Sequence, residues 1–340
     1  MSPQSTVRAF VVTGPGEAVV REVPAPVPGP GEVVVDVERA GVCGTDVEFF
    51  TGEMQYLHDG HARFPMRLGH EWAGTVTALG EGADPAWLGR AVTGDTMLGC
   101  RRCPRCRAGN QHVCEFREEI GIRGGRPGAL AERIAVPATA LHALPATVDP
   151  VLGALVEPGG NALRAVEAAR LSAGEQVLIL GPGTIGLLAA LFARARGARV
   201  HLLGRTEQSL DFARSLGFLA QTSVPEESFA AVIDASNAAE LPARAVEVVE
   251  PAGRVVYVGI AGSPSVLDTR ALVLKDVTAV GVLSASPGLA RTIQRYADAS
   301  VDPRPLVAAT VGLGEVSEVL AGRRPPGAGQ GPKIHVDPRR

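Results

Sequence analysis

The chain is nearly devoid of lysine. Of its 33 basic residues only Lys275 and Lys333 are lysines, a bias we read as the coding composition of a GC-rich genome. It also lacks a large charge of either sign. A formal net charge of −3 gives no electrostatic reason to expect nucleic acid or an anionic membrane as a partner. The first residues, MSPQSTVRAFVV, lack the basic stretch and apolar run of a secretory signal, so the expected location is the cytoplasm. No apolar run reaches membrane-spanning length. The nearest, residues 177–193, is broken by glycines and a proline. Cysteine is scarce too. The chain has five, an odd count, and four fall between positions 100 and 114. In a chain without a leader, that pattern favours metal binding over disulfides.

A globular composition remains, 46% hydrophobic and 20% charged. At 340 residues the chain is too long for one ordinary core, so two domains are expected. The first part reads as β-rich. Val33, Val35 and Val37 alternate with Val34, Asp36 and Glu38, the period of a half-buried strand. Further strand-like pieces follow at 73–78, 130–136 and 140–143, and no helical period dominates before about residue 150. From there strands and helices alternate: a helix at 162–169, a strand at 177–180, a helix at 185–196 and a strand at 198–203. A helix at 208–216, a strand at 230–234, a helix at 239–249 and a strand at 254–258 continue the pattern. It predicts an α/β fold with a doubly wound parallel sheet. A helix at 289–297 and a closing strand at 333–336 end the chain.

Residues Gly181, Pro182, Gly183, Thr184, Ile185 and Gly186 spell G-x-G-x-x-G between a predicted strand and a predicted helix. In that setting the first glycine permits a tight turn and the second admits a pyrophosphate. The third lets helix and strand pack closely, and the helix N-terminus offers free N–H groups to phosphate. The next strand ends at Gly204, Arg205 and Thr206 instead of at an acidic residue. Glycine leaves room for a 2′-phosphate and arginine can grip it with two hydrogen bonds, so NADP is favoured over NAD. The other reading makes Arg205 a solvated residue at a helix start.

Cys100, Cys103, Cys106 and Cys114 read C-x2-C-x2-C-x7-C. Four thiolates can close a tetrahedral shell around a structural zinc, pinning a lobe at about 97–116 that has little apolar content of its own. A disulfide pair or a small iron–sulfur cluster is the alternative. Cys43 in GVCGTD, His70 in GHEWAG and Glu157 in LVEPGG would leave a fourth position open, as a catalytic zinc needs. Singly, each residue also fits a structural role.

With GVCGTD, GHE, the four-cysteine lobe, VEP and GPGTIG in this order, the chain resembles the zinc-containing medium-chain dehydrogenases, in the branch of the sorbitol and threonine enzymes. The resemblance implies a GroES-like β-barrel catalytic domain (1–150), a Rossmann domain (151–286) and a C-terminal return to the barrel (287–340). It implies one catalytic and one structural zinc per chain, with Cys43, His70 and Glu157 as inner ligands of the catalytic one. Glu71 becomes the neighbouring carboxylate that approaches the metal. Thr45 takes the alcohol proton, and hydride passes between a secondary alcohol and the nicotinamide. The family's relay histidine is replaced by Glu48. Homodimers or homotetramers are implied, often joined through Rossmann sheet edges, with RVVYVG as the edge candidate. The stretch between Cys43 and His70 carries Glu53, Gln55, Tyr56, His58, Asp59, His61 and Arg63. It reads either as a solvated loop or as a lid over a polar substrate. The expected partner is a small alcohol or ketone: a polyol, a sugar or an aminocyclitol such as 2-deoxy-scyllo-inosamine. A carbonyl reductase would use the same site in reverse. A redox sensor binding NADP would share only the nucleotide motif, and a zinc hydrolase would leave that motif unexplained.

Overall fold

The computed structural model describes residues 5–224 and 226–340. The described chain falls into two compact units. Among the described residues, one comprises 5–157, 307–329 and 333–340, and the other 158–224, 226–306 and 330–332.

The first unit opens with an antiparallel hairpin, β1 (Thr6–Gly14) and β2 (Glu17–Pro24). Next come β3 (Glu32–Gly41), α1 (Gly44–Thr51), α2 (Gln55–His58), β4 (Glu71–Leu79) and β5 (Ala91–Gly94). The cysteine lobe contributes β6 (Met97–Leu98), α3 (Pro104–Arg107) and β7 (Glu118–Glu119). Then follow β8 (Arg133–Pro137), β9 (Leu141–Ala143) and α4 (Pro150–Ala154); α5 (Val156–Ala169) starts here and continues into the second unit from Pro158. The second unit contains β10 (Gln176–Leu180), α6 (Thr184–Ala195), β11 (Arg199–Leu203), α7 (Glu207–Ser215) and β12 (Leu219–Gln221). It continues through β13 (Phe229–Asp234), α8 (Leu241–Val248), β14 (Val249–Tyr257), α9 (Thr269–Leu274), β15 (Thr278–Gly281) and α10 (Leu289–Ala297). The chain then returns to the first unit with β16 (Val307–Val311), α11 (Val316–Leu320) and β17 (Lys333–Val336).

In the first unit one sheet runs β16-β17-β3-β4-β5-β9, with β8 also paired to β3. Its core gathers Phe10, Phe49, Leu68, Trp72, Leu130 and Ile134. The strand alternation expected of residues 33–38 is only half realised. Val33, Val35 and Val37 enter this core, but Val34 is buried as well. Short helix α4 packs across β3 and β4, so the strand is covered on both faces. Helix also occurs before residue 150, in short pieces that leave no dominant period. α1 follows Cys43 directly, and its left-handed Gly52 cap ends it after eight residues, too short to leave a helical period in the sequence.

The second unit is a parallel sheet in the order β12-β11-β10-β13-β14-β15. It has the two-halved doubly wound order, reversing beside β10. The RVVYVG stretch, expected at the sheet edge, lies in β14 and pairs on both sides. The edge is β15, four residues long and mostly exposed. No helix among the described residues is long and apolar enough to cross a membrane.

Candidate metal centres and nucleotide site

Cys43 caps the N-terminus of α1. Asp46, one turn into the helix, accepts the Cys43 N–H at 2.9 Å and the Gly69 N–H at 3.2 Å. Its other close neighbour is His70, with Oδ1 3.7 Å from Nδ1. One fully buried carboxylate therefore ties the cysteine-bearing turn to the histidine-bearing segment. Nδ1 of His70 is buried and has no hydrogen-bond partner among the described residues.

Glu71 opens β4 opposite Gly41 of β3. Both of its oxygens accept from Lys333 Nζ, at 2.8 and 2.7 Å, and the same ammonium donates to the Val42 carbonyl at 2.8 Å. A methyl group at position 41 would stand 1.9 Å from Glu71 Oε2, so the glycine makes room for the carboxylate. Burial opposes the charge on Lys333, but Glu71 and Cys43 outweigh it and raise its pKa.

Donor atoms of Cys43, His70 and Glu71 lie within 4.8 Å of one another. Glu157, the second residue of α5, is not in that group, yet it is buried and its charge acts on His70. Burial lowers the affinity of His70 for a proton, but Asp46, Cys43 and Glu157 together hold it well above the ordinary histidine value. A buried pocket of sulfur, nitrogen and carboxylate donors that draws positive charge this strongly fits Zn²⁺. Thr45 stands in the first turn of α1, half-buried, two residues after Cys43. Glu48 follows one turn later and is exposed. Partial burial and the nearby Glu53 raise its pKa.

The second centre is formed by Cys100, Cys103, Cys106 and Cys114, with donor atoms also within 4.8 Å of one another. All are free thiols, and the Cys103 and Cys114 sulfurs are 3.8 Å apart, so the disulfide alternative is not realised. Backbone N–H groups point at these sulfurs, from Cys100 to Cys114 and from Cys106 to Cys103, both at 3.4 Å. Amides of Arg102 and Cys103 bring the Cys100 thiol down to about 6. Burial pushes Cys106 up to about 12. Four sulfur donors held this close fit the tetrahedral shell of a structural Zn²⁺, which would take them as thiolates.

The stretch from Glu53 to Arg63 is partly ordered as α2. Tyr56 donates to Glu119 at 3.3 Å and accepts from Arg117 at 3.1 Å. Its ring also meets His61 edge-on and lies under the Arg123 guanidinium. These contacts anchor the stretch at Tyr56, while Glu53, Gln55, His58, Asp59, His61 and Arg63 are exposed.

In the second unit the glycine motif is realised residue by residue. Gly181 sits at φ +93°, a left-handed conformation that L side chains rarely adopt. Gly183, the N-cap of α6, has open space where a side chain would project. A methyl at Gly186 would lie 1.9 Å from the Gly181 carbonyl oxygen, so only glycine lets helix and turn approach. Pro182 lies within this turn, and Thr184 and Ile185 open the helix. Gly204 is buried at the end of β11, and a side chain there would meet Pro182 at 2.7 Å. Arg205 is exposed and makes no hydrogen bond or ion pair with any described residue. Thr206 caps α7 through Ser209.

Two residues of the first centre escape a reading of the sequence. Asp46 is announced by its spacing of three from Cys43, the interval of a capping box. Lys333 is one of only two lysines, and its singularity was a signal that base composition masked.

Two family models match, the alcohol dehydrogenase GroES-like domain over residues 29–146 and the zinc-binding dehydrogenase domain over residues 184–300. L-threonine 3-dehydrogenase of Saccharopolyspora erythraea is 33% identical over 290 residues, covering 81% of this chain and 83% of its own. The 2-dehydro-3-deoxy-L-galactonate 5-dehydrogenase of Pseudoalteromonas atlantica is 31% identical over 308 residues, 86% of this chain and 88% of its own. A zinc-binding dehydrogenase from Sinorhizobium meliloti 1021, solved with NADP, superposes with a TM-score of 0.89 at 29% identity, over 98% of this chain and 100% of that one. This chain belongs to the zinc-containing medium-chain dehydrogenases and is a zinc-dependent, NAD(P)-linked alcohol dehydrogenase acting on CH–OH donors.

Proposed function

We propose that the protein oxidises a secondary alcohol carbon in a small, polar substrate, with NADP as the favoured coenzyme. The gathering of Cys43, His70 and Glu71 donors within 4.8 Å carries this reading. Zinc, when bound, supplies Lewis acidity toward an alcohol oxygen, and the nicotinamide supplies the two-electron acceptor. Cys43, His70 and Glu157 would hold the metal. Asp46 would fix the imidazole from its Nδ1 side, as carboxylates beside zinc-bound histidines do. Glu71 would remain the alternate carboxylate, restrained by Lys333. Thr45 would accept the substrate hydroxyl proton, and Glu48, one turn further along the same helix face, would pass it to solvent.

The two named relatives act, by their names, on threonine and on a deoxy sugar acid, both polar, charged molecules that carry a secondary alcohol. That favours a polyol, sugar or aminocyclitol, 2-deoxy-scyllo-inosamine among them, over a simple alkyl alcohol. NADP is favoured because Arg205 is exposed and unengaged beside the glycine turn. Gly204→Asp does not test this, since any side chain there collides with Pro182; Arg205→Ala does. A homo-oligomer joined along β15 would cover Ile260, Val266, Val273 and Leu274, each at least 75% exposed. We keep the cytoplasm as its place.

The test is absorbance at the reduced-nicotinamide band when zinc-loaded protein meets NADP⁺ and a panel of polyols, sugars and aminocyclitols. Turnover that disappears in Cys43→Ser while the melting temperature holds supports the reading. Undiminished turnover in that variant refutes it.

A further inference from the structure

Away from both metal centres, the first unit holds a concave site between the β1–β2 hairpin and the loops at 60–67 and 122–127. It encloses about 580 Å³, a size that suits a small metabolite. Arg21, Arg63, Arg67, Arg126 and His61 line it, and no aspartate or glutamate does. None of the cysteine, histidine or glutamate ligands of the two metal centres lines it either.

Not all of this positive charge is available. Arg126 is paired with Glu118 at 2.6 Å and with Glu32 at 2.7 Å. His61 is engaged by Arg123 at 3.2 Å. The guanidinium groups of Arg21, Arg63 and Arg67 have no ion pair or hydrogen bond to any described residue. Arg67 is the informative one. Its Nη1 is buried and without a partner, and burial alone lowers its pKa, with no anion opposing the shift. A buried guanidinium N–H lacking an acceptor, on a half-buried cation, is a costly arrangement for a protein to keep. Beside it, Gly125 takes a left-handed backbone with open space at its Cβ position, which lets a ligand come close to the main chain.

We propose that this cavity binds a small phosphorylated metabolite through Arg21, Arg63 and Arg67. A phosphomonoester carries about −1.5 to −2 charge near neutral pH and three acceptor oxygens. It therefore answers three guanidinium groups better than a single carboxylate would, and the planar fork of arginine matches its oxygens. Because the site contains no metal-centre ligand, the bound ester is not the alcohol being oxidised; it acts as a second ligand of the catalytic unit. Arg67 stands three residues before His70, on the segment whose Gly69 N–H holds Asp46.

The experiment is calorimetric titration of the zinc-loaded protein, saturated with NADP⁺ so that the nucleotide site is filled. The probes are glucose 6-phosphate, inorganic phosphate and glucose, at constant ionic strength set with chloride. Both phosphates are expected to bind, with glucose 6-phosphate at one site per chain, and glucose is expected not to. Arg67→Met should weaken binding by at least about tenfold, the loss of one charge-assisted contact. It should also raise the melting temperature in phosphate-free buffer, because an unsatisfied buried donor is gone. Should Arg67→Met fail to fold, the exposed pair Arg21→Ala with Arg63→Ala carries the same test. No binding of either phosphate at about 10 mM, or binding undiminished in every folded variant, would overturn the proposal.

Discussion

At the residue scale, the catalytic centre depends on side chains that touch no substrate. Asp46 is buried, accepts two backbone N–H groups and stands beside His70. Removing it loosens both ligand-bearing segments at once. Asp46→Ala should lower zinc affinity about 10- to 100-fold, the usual cost of losing such a partner, measured by chelator competition. Unaltered affinity would show that His70 is oriented by something else. A different kind of residue is His335 on β17. It is fully buried with neither ring nitrogen bonded to a described residue. Burial, then Lys333 and Arg39, bring its pKa to about 3. The folded state keeps this imidazole neutral while the unfolded chain protonates it below its ordinary value near 6.5. Stability is therefore intact above that value and falls with pH from about 6.5 toward 3. Between pH 8 and pH 5 the loss should be about 2 kcal/mol. Denaturant melts of His335→Leu should show that part of the pH dependence removed; an unaltered slope would count against it. The ligand cysteines, His70 and the glycines were legible in the sequence because each carries an unusual chemical or conformational demand. Lys333 was not, because its partner Glu71 lies hundreds of positions away, and Asp46 offered only its capping-box spacing from Cys43, on a helix too short to leave a period.

At the scale of elements, the parallel sheet was legible because each of its central strands is an apolar run followed by an amphipathic helix. β12 and β15 were not. They are three and four residues long and largely exposed at the two edges, so no buried run marks them. β16 was likewise silent, since its partner β17 lies more than twenty residues on, whereas the opening hairpin closes locally across Pro15 and Gly16 and its turn could have been read. The turn after β10 shows the opposite case, where local sequence dictates local geometry. There the coenzyme prediction is specific. Arg205→Ala should raise the KM for NADP⁺ by roughly tenfold, the worth of a charge-assisted contact, and leave that for NAD⁺ nearly unaltered. Steady-state kinetics with both coenzymes check it, and an equal change in the two would remove Arg205 from phosphate recognition.

For the whole molecule, two units of different construction each bring one half of the chemistry. The first holds both metal centres and the second holds the nucleotide turn. Exposed Val273 and Leu274 on α9, next to the β15 edge, are the expected contact between copies. The double variant Val273→Glu with Leu274→Glu should shift the mass measured by light scattering to a monomer. A wild-type protein that is already monomeric would contradict that assembly. The central claim is that Cys43 and His70 hold a catalytic zinc distinct from the one in the cysteine lobe. The most direct test is elemental analysis of metal per chain in the wild type and in Cys43→Ser with His70→Ala. Two zinc ions per chain should fall to one, with the fold retained and turnover gone. Two ions in both proteins, or turnover surviving in the variant, would contradict it.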